Sequence, residues 1–296
     1  MTHSSEKRIK WPEATNGQPG LKAGLYIVAT PIGNLRDITL RALDTLAAAD
    51  VIICEDTRVS GKLLKAYSIN GQMISYNDHS DDKKRDSILG KIEAGQSVAL
   101  ISDAGCPLIS DPGYKLVRSA MERGLFVTSI PGASAVITGL QLSGLPSDSF
   151  AFIGFLPNKQ KARQDYLRDW AGVQTTLIAY ETGPRLHDAL ADIYAVMGAR
   201  KVTMARELTK MYEEIRSGAA SELAEHYKEA GAPKGEIVLI IEGAVDKIWS
   251  EDEIKAALSE ALLSMKTKQA AGYIADLSGR PRKELYDLAL KLSDKG

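Results

Sequence analysis

Ser97-Val98-Ala99-Leu100-Ile101-Ser102-Asp103-Ala104-Gly105-Cys106-Pro107-Leu108-Ile109-Ser110-Asp111-Pro112-Gly113 is the stretch whose reading decides the fold. It opens as a short apolar run, the pattern of a buried strand. It then breaks into a loop with two aspartates, two prolines and two glycines. Gly105 and Gly113 open backbone conformations closed to other residues, and Pro107 and Pro112 each fix one torsion. A loop needed only to turn the chain is shorter. The segment therefore reads as a rigid rim at the carboxyl end of a strand, where open α/β sheets bind ligands. The plainer alternative is an elaborate surface turn, since turn residues cluster in loops.

Working outward, Leu25 to Ala29 is a strand closed by Thr30-Pro31-Ile32-Gly33-Asn34. Asp37 is placed to cap a helix with apolar positions at Leu40, Leu43, Leu46 and Ala47. Val51 to Cys54 is a second strand, running into Glu55-Asp56-Thr57-Arg58. A helix through Leu63-Leu64 leads to a strand at Met73 to Tyr76, and a helix over Lys84 to Glu93 returns to the opening stretch. After Gly113 the pattern predicts a helix from Tyr114 to Arg123. A strand from Leu125 to Ile130 then ends in Pro131-Gly132-Ala133-Ser134. Strand and helix alternate throughout, so this half is predicted to be a mostly parallel sheet covered on both faces.

Gly144 to Ser149 reads as a linker, and a second α/β pattern follows. Its strands are Phe150–Phe155, Thr175–Tyr180, Val202–Ala205 and Gly235–Ile241. Its helices are Lys161–Trp170, Arg185–Met197 and Ser221–Ala230, the last capped at Ser221. From Ser250 the pattern is all helical, at Glu253–Met265, Lys268–Leu277 and Glu284–Leu292. The turn Ser278-Gly279-Arg280-Pro281 gives the last two the look of a helix-turn-helix. The expected organisation is a disordered lead-in (1–21), one α/β domain (22–143), a second (150–246) and a small helical unit (250–296).

Composition sets limits. The 296 residues are 44 % hydrophobic and 25 % charged with a net charge of -1, so nothing pulls the whole molecule toward nucleic acid or membrane. No apolar run approaches the roughly 18 residues that span a bilayer. Cys54 and Cys106 make no CxxC pair, which points to a reducing, cytoplasmic setting. His3, His79, His187 and His226 are scattered without ligand spacing, so no metal is expected. The first strand is not followed by GxGxxG, which weakens a dinucleotide-binding reading.

Three of these segments resemble, in order, the signatures of the tetrapyrrole-methylase-like superfamily. They are Leu25 to Leu35, the loop from Asp103 to Gly113, and Ile130-Pro131-Gly132-Ala133-Ser134-Ala135. Further stretches are similar to a subgroup acting on small-subunit ribosomal RNA. These are Glu55-Asp56-Thr57-Arg58, Tyr180-Glu181, Ala205-Arg206-Glu207-Leu208-Thr209-Lys210, Lys234-Gly235-Glu236 and the run from Lys268 through Leu285-Tyr286-Asp287-Leu288-Ala289. Two departures stand out: Cys106 replaces the usual Thr, and Thr182-Gly183-Pro184 replaces Ser-Pro-His ahead of Arg185.

The resemblance implies two α/β domains of the tetrapyrrole-methylase type with S-adenosylmethionine in the cleft between them, in a homodimer. It also implies transfer of a methyl group to the ribose 2′-oxygen of a cytidine in small-subunit (16S) ribosomal RNA, free or in the assembled 30S subunit. Carried over by position, Pro31, Ile32, Pro107, Leu108 and Ile109 cradle the donor. Asp103 meets a polar group of its methionine or ribose part. Ser134 and Ala135 open a helix whose free N–H groups meet an acceptor. Tyr180, Ala205 and Gly235 form the second wall.

A ribose hydroxyl attacks only once its proton is drawn off. The candidates for that chemistry are Glu55, Asp56, Glu181, Glu207 and Lys210, all at expected strand ends. Each carboxylate also reads as half of an ion pair with a neighbouring arginine. Arg58, Arg185 and Arg206 are candidates for clamping RNA phosphates. In the tail, Lys266, Lys268, Arg280, Arg282 and Lys283 stand against a lone Asp276, and Lys159, Lys161 and Arg163 form a second basic group. Such patches bind RNA from a near-neutral protein. The competing readings are a small-molecule methylase acting on a tetrapyrrole and a non-catalytic, ribosome-associated nucleotide-binding module.

Overall fold

Residues 20–77, 82–244, 250–263 and 265–293 are described, in a computed structural model. Most of the expected lead-in, together with His3 and His79, lies outside them.

The first sheet follows from the alternation. In chain order come β1 (Gly24–Val28), α1 (Leu40–Ala48), β2 (Val51–Cys54), α2 (Thr57–Ala66), β3 (Gln72–Ser75), α3 (Asp82–Glu93), β4 (Ser97–Leu100), α4 (Tyr114–Glu122), β5 (Val127–Ile130) and α5 (Ala135–Ser143). The strands lie in the order β3-β2-β4-β1-β5 and every pair is parallel. Alternate residues supply two cores. Leu25, Ile53 and Leu100 pack with Leu89 and Leu116 on one face; Val28, Ile52 and Ala99 pack with Leu46 and Leu64 on the other. With all strands running one way, the loops after β1, β2, β4 and β5 open on the same edge.

One cap differs from expectation. Asp37 ends a short 3-10 turn that starts when the Asn34 carboxamide accepts the Arg36 amide. The helix begins only at Leu40, capped by Thr39, whose hydroxyl accepts the Ala42 amide at 3.1 Å.

The second sheet contains β6 (Phe150–Phe155), α6 (Gln160–Trp170), β7 (Thr176–Thr182), α7 (Leu186–Met197), β8 (Lys201–Arg206), β9 (Glu214–Ala219), α8 (Ala220–Ala230) and β10 (Glu236–Ile241). Its order is β6-β7-β10-β8-β9, with only β6 and β7 parallel. The sequence reading missed β9, because this edge strand is polar and carries no apolar run. Ser221 is not the cap of α8: the helix starts at Ala220, and the Glu222 carboxylate accepts the Ala219 amide. Nor does Arg163 belong to a surface basic group. It is buried in an ion pair with Asp192 at 2.6 Å, both side chains 3 % exposed.

The two sheets belong to one compact unit that ends at Gly243. The reason is α5, whose Val136 and Leu140 pack against Ile178, Val238 and Ile240 of the second sheet. The approach is close: a Cβ on Gly139 would stand 3.2 Å from Val238 Cγ1.

A second unit runs from Ala244 to Gly296. It holds α9 (Glu251–Leu262), α10 (Thr267–Ser278) and α11 (Arg282–Ser293) around Leu258, Ala270, Ile274 and Leu285. Ser250 and Glu253 cap α9 reciprocally, each accepting the other's amide. Gly279 (φ 66°) ends α10 in the left-handed conformation.

Candidate active site

The loop from Asp103 to Gly113 is bent by four left-handed residues, Gly105 (φ 76°), Leu108 (φ 72°), Ser110 (φ 64°) and Gly113 (φ 125°). Two of these are not glycine, so surrounding contacts must hold the shape. The Thr30 amide donates to Gly105 O at 2.8 Å, and the Thr30 hydroxyl donates to Ser102 O. The Cys106 thiol donates to Ala133 O at 3.4 Å. Together these bonds stitch the loops after β1, β4 and β5 to one another.

Between these loops and the second sheet lies a cleft of about 360 Å³. The first sheet supplies Ile32, Asp103, Gly105, Cys106, Ile109, Asp111, Ser134 and Ala135. The second supplies Phe155, Tyr180, Glu181, Leu208, Glu236 and Val238. Phe152 and Phe155 both meet the Tyr180 ring edge-on, at 4.8 and 5.3 Å. Ser134 also caps α5, its hydroxyl turned to the Ile137 amide.

A second groove of about 320 Å³ shares Ile32, Asp103, Ala104 and Glu236 with the cleft. Its other walls are Thr30, Pro31 and Leu35 after β1, Val59, Ser60, Lys62 and Leu63 of α2, and Lys210. Among the expected donor residues, Pro107, Leu108, Ala205 and Gly235 line neither space. Pro107 and Ala205 are buried, Leu108 packs against the first core, and Gly235 (φ 101°) passes close to the Glu207 side chain.

The five candidates for proton chemistry do not face one cleft. Asp56 caps α2 and pairs with Arg58 at 2.8 Å, which holds its carboxyl down at about 2. Glu181 is buried with Arg185 at 3.0 Å, and its carboxylate accepts the Thr182 amide at 2.7 Å. Burial still outweighs those partners and raises its pKa. Glu207 is held below the usual carboxylate range by Lys210. Burial works against the Lys210 charge, but its 2.9 Å contacts to Glu236 and Glu207 win and raise its pKa. Glu55 is exposed and lines neither space.

The carboxylates that do line the cleft include two the sequence reading left unassigned. Burial, with the charges of Glu55, Asp103 and Glu236, pushes Asp111 up to about 6. Burial also raises Asp103, whose carboxylate accepts the Asp56 amide. Tyr180 is pushed to about 12 by burial and then by Asp111. Asp111 and Glu236 both stand inside segments singled out by sequence, but nothing local distinguishes them from turn or edge residues. The α2 wall of the groove carried no signal at all.

The arginines proposed for phosphate are already engaged. Arg206 pairs with Glu214 at 2.8 Å and donates to Lys234 O, and Arg185 is bonded to Asn158, Leu156 O and Glu181. In the helical unit Arg280 pairs with Glu284, while Lys266, Lys268, Arg282 and Lys283 are exposed. Among the described residues, no cluster of His, Cys, Asp and Glu is arranged to hold a metal ion, and no helix is long and apolar enough to cross a membrane.

A five-stranded parallel sheet joined to a mixed five-stranded sheet is a fold this chain shares with solved methyltransferases. Residues 24–224 match the Tetrapyrrole (Corrin/Porphyrin) Methylases, and residues 250–293 match the RsmI C-terminal HTH domain. The chain belongs to the tetrapyrrole methylase family. "Ribosomal RNA small subunit methyltransferase I" of Erythrobacter litoralis is 53 % identical to it, over 92 % of this chain and 96 % of that protein. The protein so named in Escherichia coli O157:H7 is 47 % identical, over 90 % and 94 %. Among solved structures, uroporphyrin-III C-methyl transferase from Thermus thermophilus complexed with S-adenyl homocysteine shares the fold. Its TM-score is 0.51 at 19 % identity, over 76 % of this chain and 100 % of that one.

Proposed function

We propose that this chain transfers a methyl group from S-adenosylmethionine to the ribose 2′-oxygen of a cytidine in small-subunit ribosomal RNA. The observation that carries the reading is the cleft, where the loops after β1, β4 and β5 meet the second sheet in a chain of this family. The relatives named for ribosomal RNA methylation extend it from the family's fold to an RNA acceptor. The cleft suits the donor chemically: Asp103 and Asp111 line it with negative charge that a sulfonium cation would meet. The backbone cradle is close, since a Cβ on Gly105 would lie 3.1 Å from Ile32 Cγ2.

When bound, the donor supplies an electrophilic methyl on a sulfonium. Ile32, Gly105, Ile109, Ser134 and Tyr180 would hold it, and Asp103 would orient its polar end. The transfer then depends chiefly on alignment with the nucleophile. The hydroxyl proton passes to Asp103, the carboxylate where cleft and groove meet, since Glu236 beside it is paired with Lys210 at 2.9 Å. Asp56, Glu181 and Glu207 serve the structure through their ion pairs. The exposed lysines and arginines of the helical unit add phosphate contacts. The enzyme acts in the cytoplasm as a homodimer, on free RNA or on the 30S subunit.

Labelled methyl transfer to purified small subunits, compared with free RNA and a tetrapyrrole, tests the reading. The expected product is 2′-O-methylcytidine by nucleoside mass spectrometry. A base-methylated nucleoside, or methylation of the tetrapyrrole alone, would refute it.

A further inference from the structure

The groove beside the cleft has a construction of its own. Its flanks are apolar, from Pro31 and Leu35 on one side and Val59 and Leu63 on the other. Its polar lining includes Ser60, a residue only 2 % exposed. The Ser60 hydroxyl meets only the weakly bonding Cys54 thiol, and no oxygen or nitrogen partner among the described residues. A buried hydroxyl with only a thiol beside it keeps most of its hydrogen-bonding capacity for another group. At the mouth, Lys62 is exposed on α2 and has no ion pair among the described residues. Lys210 differs, for both its contacts are to carboxylates of the protein.

Apolar walls that sandwich a flat ring, a buried hydroxyl for its polar edge and a lone cation for a phosphate together describe a nucleotide site. The volume of about 320 Å³ is of ligand-site size. The shared lining at Asp103 and Glu236 puts an occupant of the groove next to an occupant of the cleft, as in-line transfer requires.

We propose that the groove between the β1 loop and α2 receives the acceptor nucleotide, with Ser60 bonding the base and Lys62 a flanking phosphate. This rests on the reading of the cleft as the donor site. Lys62→Glu, Ser60→Ala and Val59→Trp, which fills the groove, each raise KM for the small-subunit RNA about tenfold. Donor affinity by calorimetry stays within about twofold, and the charge control Lys115→Glu on exposed α4 changes neither. Saturation-transfer NMR with cytidine 5′-monophosphate and protein saturated with S-adenosylhomocysteine gives a readout free of turnover. The parent shows transfer to the mononucleotide and Val59→Trp abolishes it.

An unchanged KM in all three variants overturns the proposal, as does a parallel loss of donor affinity or mononucleotide contact that survives Val59→Trp. Failure of the parent to methylate RNA strikes the proposed function instead. The NMR result still decides whether the groove takes a nucleotide.

Discussion

The amide of Asn34 donates to the Thr209 hydroxyl over 3.1 Å, joining the loop after β1 to the turn after β8. That turn is itself strained, with Glu207 at φ 50° and Thr209 at φ 66°. It presses on the β1 loop so closely that a Cβ on Gly33 would lie 2.4 Å from Lys210 Cγ. The clasp fixes the spacing of the two walls around cleft and groove. Thr209→Val keeps the shape and removes the acceptor, releasing the exposed Asn34 amide to water. Donor affinity is expected to fall about fivefold, equivalent to roughly 1 kcal/mol for one hydrogen bond, with the circular dichroism spectrum unchanged. Unaltered calorimetric affinity would show that the clasp does not shape the site.

Asp103 lines both spaces and is the first carboxylate to remove. Asp103→Ala is expected to weaken S-adenosylmethionine binding about tenfold or more, as loss of a charge-assisted contact implies. Equal affinity in titration calorimetry excludes Asp103 from the donor site.

Asp111 makes stability depend on pH. Its carboxyl titrates at about 6 in the folded chain against an ordinary 3.8. The folded state therefore holds the extra proton between those values. The stability it contributes is complete below about 3.8 and is lost as pH rises through about 6. Asp111→Asn should flatten that decline, so the variant gains on the parent between pH 5 and pH 8. Denaturant midpoints at the two pH values measure this, and parallel curves would remove Asp111 as the source.

The Arg163–Asp192 pair is a buried stability element beneath the second sheet. Asp192 also accepts from Gln160 and Gln164, while Arg163 donates to Pro157 O and Asn158 O. Asp192→Ala leaves a buried guanidinium uncompensated and should cost about 3–5 kcal/mol. A urea midpoint shifted by less than a third of that would mean the arginine finds water.

The helical unit from 250 onward has its own core and caps. A chain ending at Gly243 is expected to bind S-adenosylmethionine like the parent but to methylate small subunits poorly. Equal activity on subunits would deny the tail any part in RNA binding.

By itself the sequence determined the parallel sheet, its order of elements and the rim loops. Those follow from apolar runs such as Val51 to Cys54 and from prolines and glycines that restrict local torsions, all readable along the chain. Tyr180, Asp103 and Ser134 are named through the family resemblance of the segments that hold them, and all three line the cleft. Only tertiary structure decided which charges are engaged. Glu181 with Arg185, and Glu207 with Lys210, look in sequence like catalytic acids or RNA contacts; folded, their neighbours consume them. Asp111 has an ordinary loop carboxylate's sequence, and only burial beside other acids raises its pKa. The groove appears only when α2 closes against the β1 loop and against the β8 turn, the latter far away along the chain. Its character depends on three-dimensional proximity, which no local pattern encodes.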